Sequence, residues 1–373
     1  MAEYHMSSNE FLFIPPLRRS KLHPTAAQKQ ATSYCCPEAS YILSLSSFLL
    51  HPSSFPFPPS PMPFFQRDEL LETLGDRILE ATWAQFPTLA PHQIAITWLI
   101  YPPPFPVNTG GAITPQEYWQ HPVKGFTYRG VELIYPASVV KLFYLVATHE
   151  WMEQGMIAPS SELDRALRDM IVDSSNDATS LVVDMLSGTT SGPEIPAEPF
   201  ETWKYQRNLI NRYFKTLGWD EFNTLNVNQK TWCDGAYGRE RAFLGELMEN
   251  RNVLTTNAVA RLLHSIIGGV AVTAERSQLM MASMKRSLEP TVLAADLENQ
   301  VTGFLGGSLP TTTQIWSKAG LMSRVRHDAA YIELPDAPPY LLTVFTEGKD
   351  HSQNTDILPF VSQQVASAMR QIK

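Results

Sequence analysis

Apolar residues recur at spacings of three and four through residues 66–86, at Leu70, Leu71, Leu74, Ile78, Leu79 and Trp83. That period puts them on one face and predicts a helix. The pattern then changes. IAITWLI at 94–100 is an uninterrupted apolar run rich in β-branched and aromatic residues, which predicts a strand. TYRGVELI, at about 127–134, predicts a second, with YPPPFPVNTGG as the loop between them. Helical periodicity returns from about 138 to 153, where Gly155 can end it, and again over most of 162–187. After the loop GTTSGPEIPAEPF it resumes through 201–285, with a softer region at 219–254. Three strands are predicted at 312–318, 326–334 and 340–347, and a closing helix at 353–371.

This order describes an α/β part and an all-α part. Strands from both ends of the chain are expected to pair in one antiparallel sheet flanked by helices, with a helical lobe inserted between them. Residues 65–137 and 300–373 would form the α/β lobe and residues 138–299 the helical lobe. Residues 1–64 follow neither period. Prolines crowd positions 53–63, where they block helix and sheet alike, so this stretch is expected to be a disordered extension.

Composition narrows the function. The chain has 373 residues, 44% of them hydrophobic, enough for a substantial core. Its net charge of -8 and lack of a Lys/Arg run argue against a nucleic-acid partner. Three cysteines, two of them adjacent at 35 and 36, make neither a disulfide framework nor a zinc knuckle; no metal or cofactor is expected. The apolar stretch 42–50 is too short to span a membrane. Translation beginning near Met62 would imply a cytoplasmic protein.

Three short elements carry candidate chemistry. In YPASVVKLF, Ser138 and Lys141 lie one helical turn apart on one face. A cap and a snorkelling lysine would explain the pair; so would a nucleophile with its base. Pro136 forces an extended lead-in, so Ser138 falls in the first turn, where the dipole and free N–H groups favour developing negative charge. In SSND, Ser174 and Asn176 open an amphipathic helix, either as a turn or as a proton relay (Ser174) with a partner for the Lys141 amine or a substrate amide (Asn176). In SKAG, Lys318 is expected to end an edge-like strand, as an exposed hairpin lysine or as the group that binds a substrate carboxylate and steadies Ser174. Gly320 there permits close approach of a backbone.

SVVK, SSN and KAG, in this order, resemble the SxxK, SxN and K-[TS]-G elements of the penicillin-recognising serine hydrolases, the class A beta-lactamases and related D,D-peptidases. HDAAYIELP resembles the family's next strand, and Thr255-Thr256 followed by NAVARLLHSIIGG the end of its omega loop and the helix beyond. The likeness covers roughly residues 66–373 and implies a beta-lactamase/transpeptidase-like fold with the site in the groove between the lobes. It implies Ser138 as acylated nucleophile, Lys141 as base partner, and Ser174 and Lys318 as catalytic. Asn176, Ala319, Gly320 and Leu321 would meet the substrate, with the backbone N–H groups of Ser138 and Leu321 as oxyanion hole. The partner would be a small molecule or peptide, and by analogy the protein periplasmic or secreted.

The pattern also departs from the family. KAG lacks the hydroxyl of KTG, Ser175 replaces an aspartate, and no ExxLN phrase supplies a deacylating glutamate. Glu240, Glu246 and Tyr237 lie in the right interval and are the candidates for that step, although such residues more often sit at the surface. The expected activity is hydrolysis of a β-lactam or related amide or ester through an acyl-enzyme, with antibiotic resistance as one outcome. A D,D-peptidase or esterase of the same fold and a non-catalytic binding protein on this scaffold are the alternatives.

Overall fold

The computed structural model describes residues 64–103, 105, 107 and 111–372. Of the extension expected over 1–64, residues 1–63 lie outside them, and Phe64 is instead buried in the core. The helix predicted at 66–86 forms as α1 (Glu69–Gln85), with the Asp68 side chain accepting from the first free N–H groups, of Leu70 and Leu71. Residues Phe65–Arg67 just before it form instead a short strand, β1.

Six more strands complete one sheet: β2 (Ile94–Ile100), β3 (Val123–Tyr128), β4 (Lys285–Arg286), β5 (Gln314–Met322), β6 (Val325–Glu333) and β7 (Tyr340–Glu347). Their order is β1-β3-β2-β7-β6-β5-β4. All neighbours are antiparallel except β1 and β3. Strands from the two ends of the chain meet at β2 and β7, where Ile94 to Ile100 pair with Thr346 to Tyr340.

Every residue of β2 is buried, because helices cover both faces. Ile96, Trp98 and Ile100 face a core shared with α1 and the closing helix, Ile357–Met369. Ala95 and Leu99 face a second core built on the helical part. At its centre is the helix Lys141–Glu153, buried from Lys141 to Met152, beside Thr256–Ile267, buried throughout. Both helices are buried on every side, polar residues included, and so lie inside the fold.

In chain order the remaining helices are α2 (Pro115–Gln120), α3 (Lys141–Glu153), α4 (Ser161–Ile171), α5 (Asn176–Ser187), α6 (Ala197–Arg207), α7 (Leu209–Thr216), α8 (Gly238–Leu244), α9 (Thr256–Ile267), α10 (Ala274–Met284), α11 (Pro290–Ala295), α12 (Lys349–Gln353) and α13 (Ile357–Met369). No helix among the described residues is long and apolar enough to cross a membrane.

Two strand expectations need correction. The second strand ends near where it was expected to begin: β3 covers Val123–Tyr128, and the chain turns at Arg129, whose φ is 51°. Gly130 then lies so close to Thr127 and Asn257 that a Cβ would overlap both, and Ile134 pairs with Leu254 instead of with the sheet. Lys318 does not end its strand. β5 continues four residues beyond it, in register with β6 from Lys318↔Ala329 to Met322↔Val325. Lys318 is buried, not an exposed hairpin lysine.

Candidate active site

Ser138 lies in a 3-10 turn, Ala137–Val140, that runs straight into α3, so Lys141 is the first α-helical residue. Ala137 just before it holds a φ of 45°, a conformation that side-chain-bearing residues adopt at a cost. The turn is pressed against β5. A Cβ on Gly320 would stand 2.7 Å from Pro136 O and 3.1 Å from Ser138 N. From the other direction His327, paired with Gly320 across the sheet, hydrogen-bonds Tyr135 O through Nε2 at 2.9 Å. Beyond Trp316 that edge of β5 has no strand neighbour among the described residues; side chains take its place, Arg286 at Ser317 O and Gln300 at Ala319 N. Ser138 is half-buried, and its hydroxyl makes no hydrogen bond with a described residue.

Lys141 and Lys318 converge on Ser174. Lys318 Nζ donates to Ser174 Oγ at 3.0 Å, and Lys141 Nζ lies 3.2 Å from the same oxygen. Lys141 also donates to Ser174 O at 2.5 Å and to Asn176 Oδ1 at 3.0 Å. Ser174 is held at a φ of 55°, in the bend between α4 and α5, and Ser175 caps α5 by accepting from Ala178 N.

Both amines are buried, and no carboxylate among the described residues bonds either. Burial pushes the Lys141 amine down to about 7, only slightly opposed by Cys233. Lys318 is driven down as well, first by burial and then by the nearby Lys141 and Arg286. Asp328, buried on β6, is raised to about 6 by desolvation and spends its oxygens on the Leu305 and Ala329 N–H groups.

Several residues that serve this cluster were not singled out in the sequence. Gln300 accepts from Lys318 Nζ and Ala319 N, and it donates to Ile171 O and Val172 O. Arg286 reaches the same two carbonyls and Ser317 O. Together they clamp the bend carrying Ser174 to β5. Cys233, the third cysteine of the sequence, is an exposed thiol whose sulfur accepts from Asn176 Nδ2 at 3.3 Å. The segment holding it is fixed where Gln229 O accepts from Tyr144 Oη at 2.5 Å and from Asn252 Nδ2 at 2.9 Å.

The three deacylation candidates do not join the cluster. Glu240 is not a surface residue: it is fully buried, its two oxygens bonded by Arg207 at 2.7 and 3.1 Å and by Ser191 at 2.8 Å. Asp184 and Lys230 extend this ion network. Glu246 is exposed, and Tyr237 is exposed and packs edge-on against Trp232. Ala319 is buried within β5, and Leu321 is exposed beside the Ser138 turn.

Solved structures share the architecture. A beta-lactamase from Sphaerobacter thermophilus is 17% identical, with a TM-score of 0.53 over 79% of this chain and 98% of that one. A point mutant of PBP-A, solved as an acyl-enzyme complex with penicillin-G, is 15% identical, with a TM-score of 0.56 over 85% of this chain and all of the other. A beta-lactamase from Chitinophaga pinensis is 14% identical, with a TM-score of 0.53 over 79% and 99%. These likenesses establish the beta-lactamase/transpeptidase-like fold. No curated protein matches the sequence. The beta-lactamase enzyme family matches residues 160–369, a span that holds Ser174, Asn176 and Lys318 and begins after Ser138 and Lys141. That match covers more than half of the residues, on a fold of the same kind, and the chain therefore belongs to the beta-lactamase enzyme family.

Proposed function

We propose that the protein is a serine acyl hydrolase in which Ser138 is acylated by a β-lactam or a related amide or ester. The observation that carries this reading is the convergence of two buried amines on Ser174 Oγ, one of them Lys141, three residues after Ser138 and its 3-10 turn. Ser138 Oγ attacks the carbonyl carbon. Its proton passes to the neutral Lys141 amine, which burial makes available near neutral pH. The backbone N–H groups of Ser138 and Leu321 receive the oxyanion. As the C–N or C–O bond breaks, the Lys141 proton moves through Ser174 Oγ to the leaving atom, and Lys318 keeps that hydroxyl oriented. Water then cleaves the acyl-oxygen bond and restores Ser138.

A specific observation favours slow acyl-enzyme turnover, as in a D,D-peptidase or esterase. Among the described residues no carboxylate is bonded to Lys141, Ser174 or Asn176 to activate that water, and Glu240 is occupied by Arg207. The test is a panel of a chromogenic cephalosporin, D-Ala-D-Ala peptides and short acyl esters, assayed with wild-type protein and Ser138→Ala. Consumption of at least one class, lost in the variant, supports the reading. No reaction with any class, or reaction undiminished in Ser138→Ala, rejects it.

A further inference from the structure

Beside the Ser138 turn is a cavity of about 300 Å³, bounded by Tyr135, Arg251, Met322, Arg324, His92 and Glu347 among others. Two of these residues link it along the chain to the site. Tyr135 is three positions before Ser138, and Met322 follows Leu321 on the edge of β5. From these walls we propose that the cavity is a subsite for a carboxylate carried on the acyl portion of the substrate.

Two guanidinium groups there lack a counterion among the described residues. Arg251 lies flat on the Tyr135 ring, 3.4 Å from its centroid, an arrangement that holds the group still and leaves its N–H edge available. Neither Arg251 nor Arg324 makes a side-chain hydrogen bond or ion pair with a described residue, whereas Arg129, Arg286 and Arg326 each reach backbone carbonyls. Glu347 is the one acid on the wall. It forms no ion pair with either arginine, and burial, outweighing the attraction of Arg129 and His92, weakens its acidity. Two positive charges, the half-buried Arg251 and the exposed Arg324, against one acid leave the cavity electropositive. A planar fork of N–H donors in such a place suits a carboxylate.

The direction of the substrate rests on the Ser138 reading above. The leaving group is protonated at Ser174, beside Lys318. Met322 is four residues further along β5, about 13 Å at the rise of a strand. The leaving group occupies the Lys318 end, so the acyl part extends towards Met322 and the arginines. A carboxylate a few bonds from the reacting carbonyl would then meet Arg251 and Arg324. This electropositive recess also offers a cationic anchor for an anionic substrate that does not depend on the hydroxyl missing from KAG.

Two measurements test this, one of which needs no acylation. Calorimetry on Ser138→Ala compares phenylmalonate with phenylacetate, which differ by one carboxylate. Phenylmalonate is expected to bind about tenfold or more tightly, with the preference lost in the added double substitution Arg251→Ala/Arg324→Ala and partly kept by Arg251→Lys/Arg324→Lys, which retains charge without the fork. Equal binding of the two acids, or a preference that survives the double alanine variant, overturns the subsite. The second measurement follows acylation of protein with intact Ser138 by carbenicillin and benzylpenicillin, again a pair differing by one carboxylate on the acyl side. Carbenicillin is expected to acylate about tenfold faster, with only its rate falling in the double alanine variant. Equal rates, or a carbenicillin advantage that survives that variant, count against the subsite. A phenylmalonate preference without acylation by either penicillin supports the subsite and counts against β-lactam acylation.

Discussion

Lys318 Nζ donates to Ser174 Oγ at 3.0 Å, and Lys141 Nζ stands 3.2 Å from the same oxygen, although the three residues come from β5, the α4–α5 bend and the start of α3. Two amines sharing one hydroxyl in a buried place cannot both be cations cheaply, which is the electrostatic reason that one of them is a usable base. Ser174→Ala removes the shared atom and leaves both lysines in place. Acylation of Ser138 is expected to slow by about 10²–10⁴-fold, the usual range for a lost proton-transfer group. Single-mixing kinetics with a fluorescent penicillin, read alongside a circular dichroism spectrum of the variant, separates this from misfolding. An unchanged acylation rate would remove Ser174 from the relay.

The Lys141 amine titrates at about 7 because burial disfavours its charge. The competent form is neutral, so acylation is expected to rise as pH increases through about 7 and to level off above. Below that point the rate should fall about tenfold per pH unit. The same linkage makes Lys141 a stability cost. The unfolded chain binds this proton up to the ordinary lysine range, the folded one only up to about 7, so this group's contribution to stability grows as pH rises between those values. A rate profile with no inflection between pH 5 and 9 would rule out Lys141 as the base.

Glu240 is paired with Arg207 at 2.7 Å, both side chains fully buried. Its replacement by alanine leaves a buried guanidinium with Asp184 as its remaining carboxylate partner among the described residues. The expected loss is about 3 kcal/mol of folding stability, since breaking one partner of a buried pair is costly. The acyl-enzyme lifetime at a temperature where the variant remains folded is expected to match that of the wild type. Denaturant melts and mass-resolved decay of the adduct check the two halves separately. A lifetime greatly prolonged in the variant would make Glu240 a deacylating group.

Cys233 borders the amine cluster because its sulfur accepts from Asn176 Nδ2 at 3.3 Å. Iodoacetamide is expected to react with this exposed thiol and thereby block acylation of Ser138. Cys233→Ser should acylate normally and resist the reagent. Alkylated protein that still acylates at the wild-type rate would place the thiol outside the path of the substrate.

The legible part of this molecule is local. The i, i+3 pair Ser138 and Lys141, the turn-forming Ser174-Ser175-Asn176 and the glycine of KAG each announce themselves within a few residues. Gly320 repays that reading: a side chain there would collide with Pro136 and Ser138. The order of strands and helices was legible for the same reason, since α1 carries its period and β2 its unbroken apolar run in sequence. Long-range partners left no such trace. Gln300 sits in a polar stretch and matters only because Lys318 and the end of α4 fold onto it. Glu240 read as solvent-facing because its counterion, Arg207, is 33 residues away. β3 was misplaced because the left-handed turn at Arg129 is favoured by its packing on Asn257, another distant residue.

Peptide mapping by mass spectrometry, after incubation with a fluorescent penicillin, asks where the acyl bond forms. The expected result is a single adduct on the peptide containing Ser138, absent from Ser138→Ala and formed at least ~100-fold more slowly in Ser174→Ala. An adduct on any other residue, or labelling that persists in Ser138→Ala, would contradict a nucleophile at the start of α3.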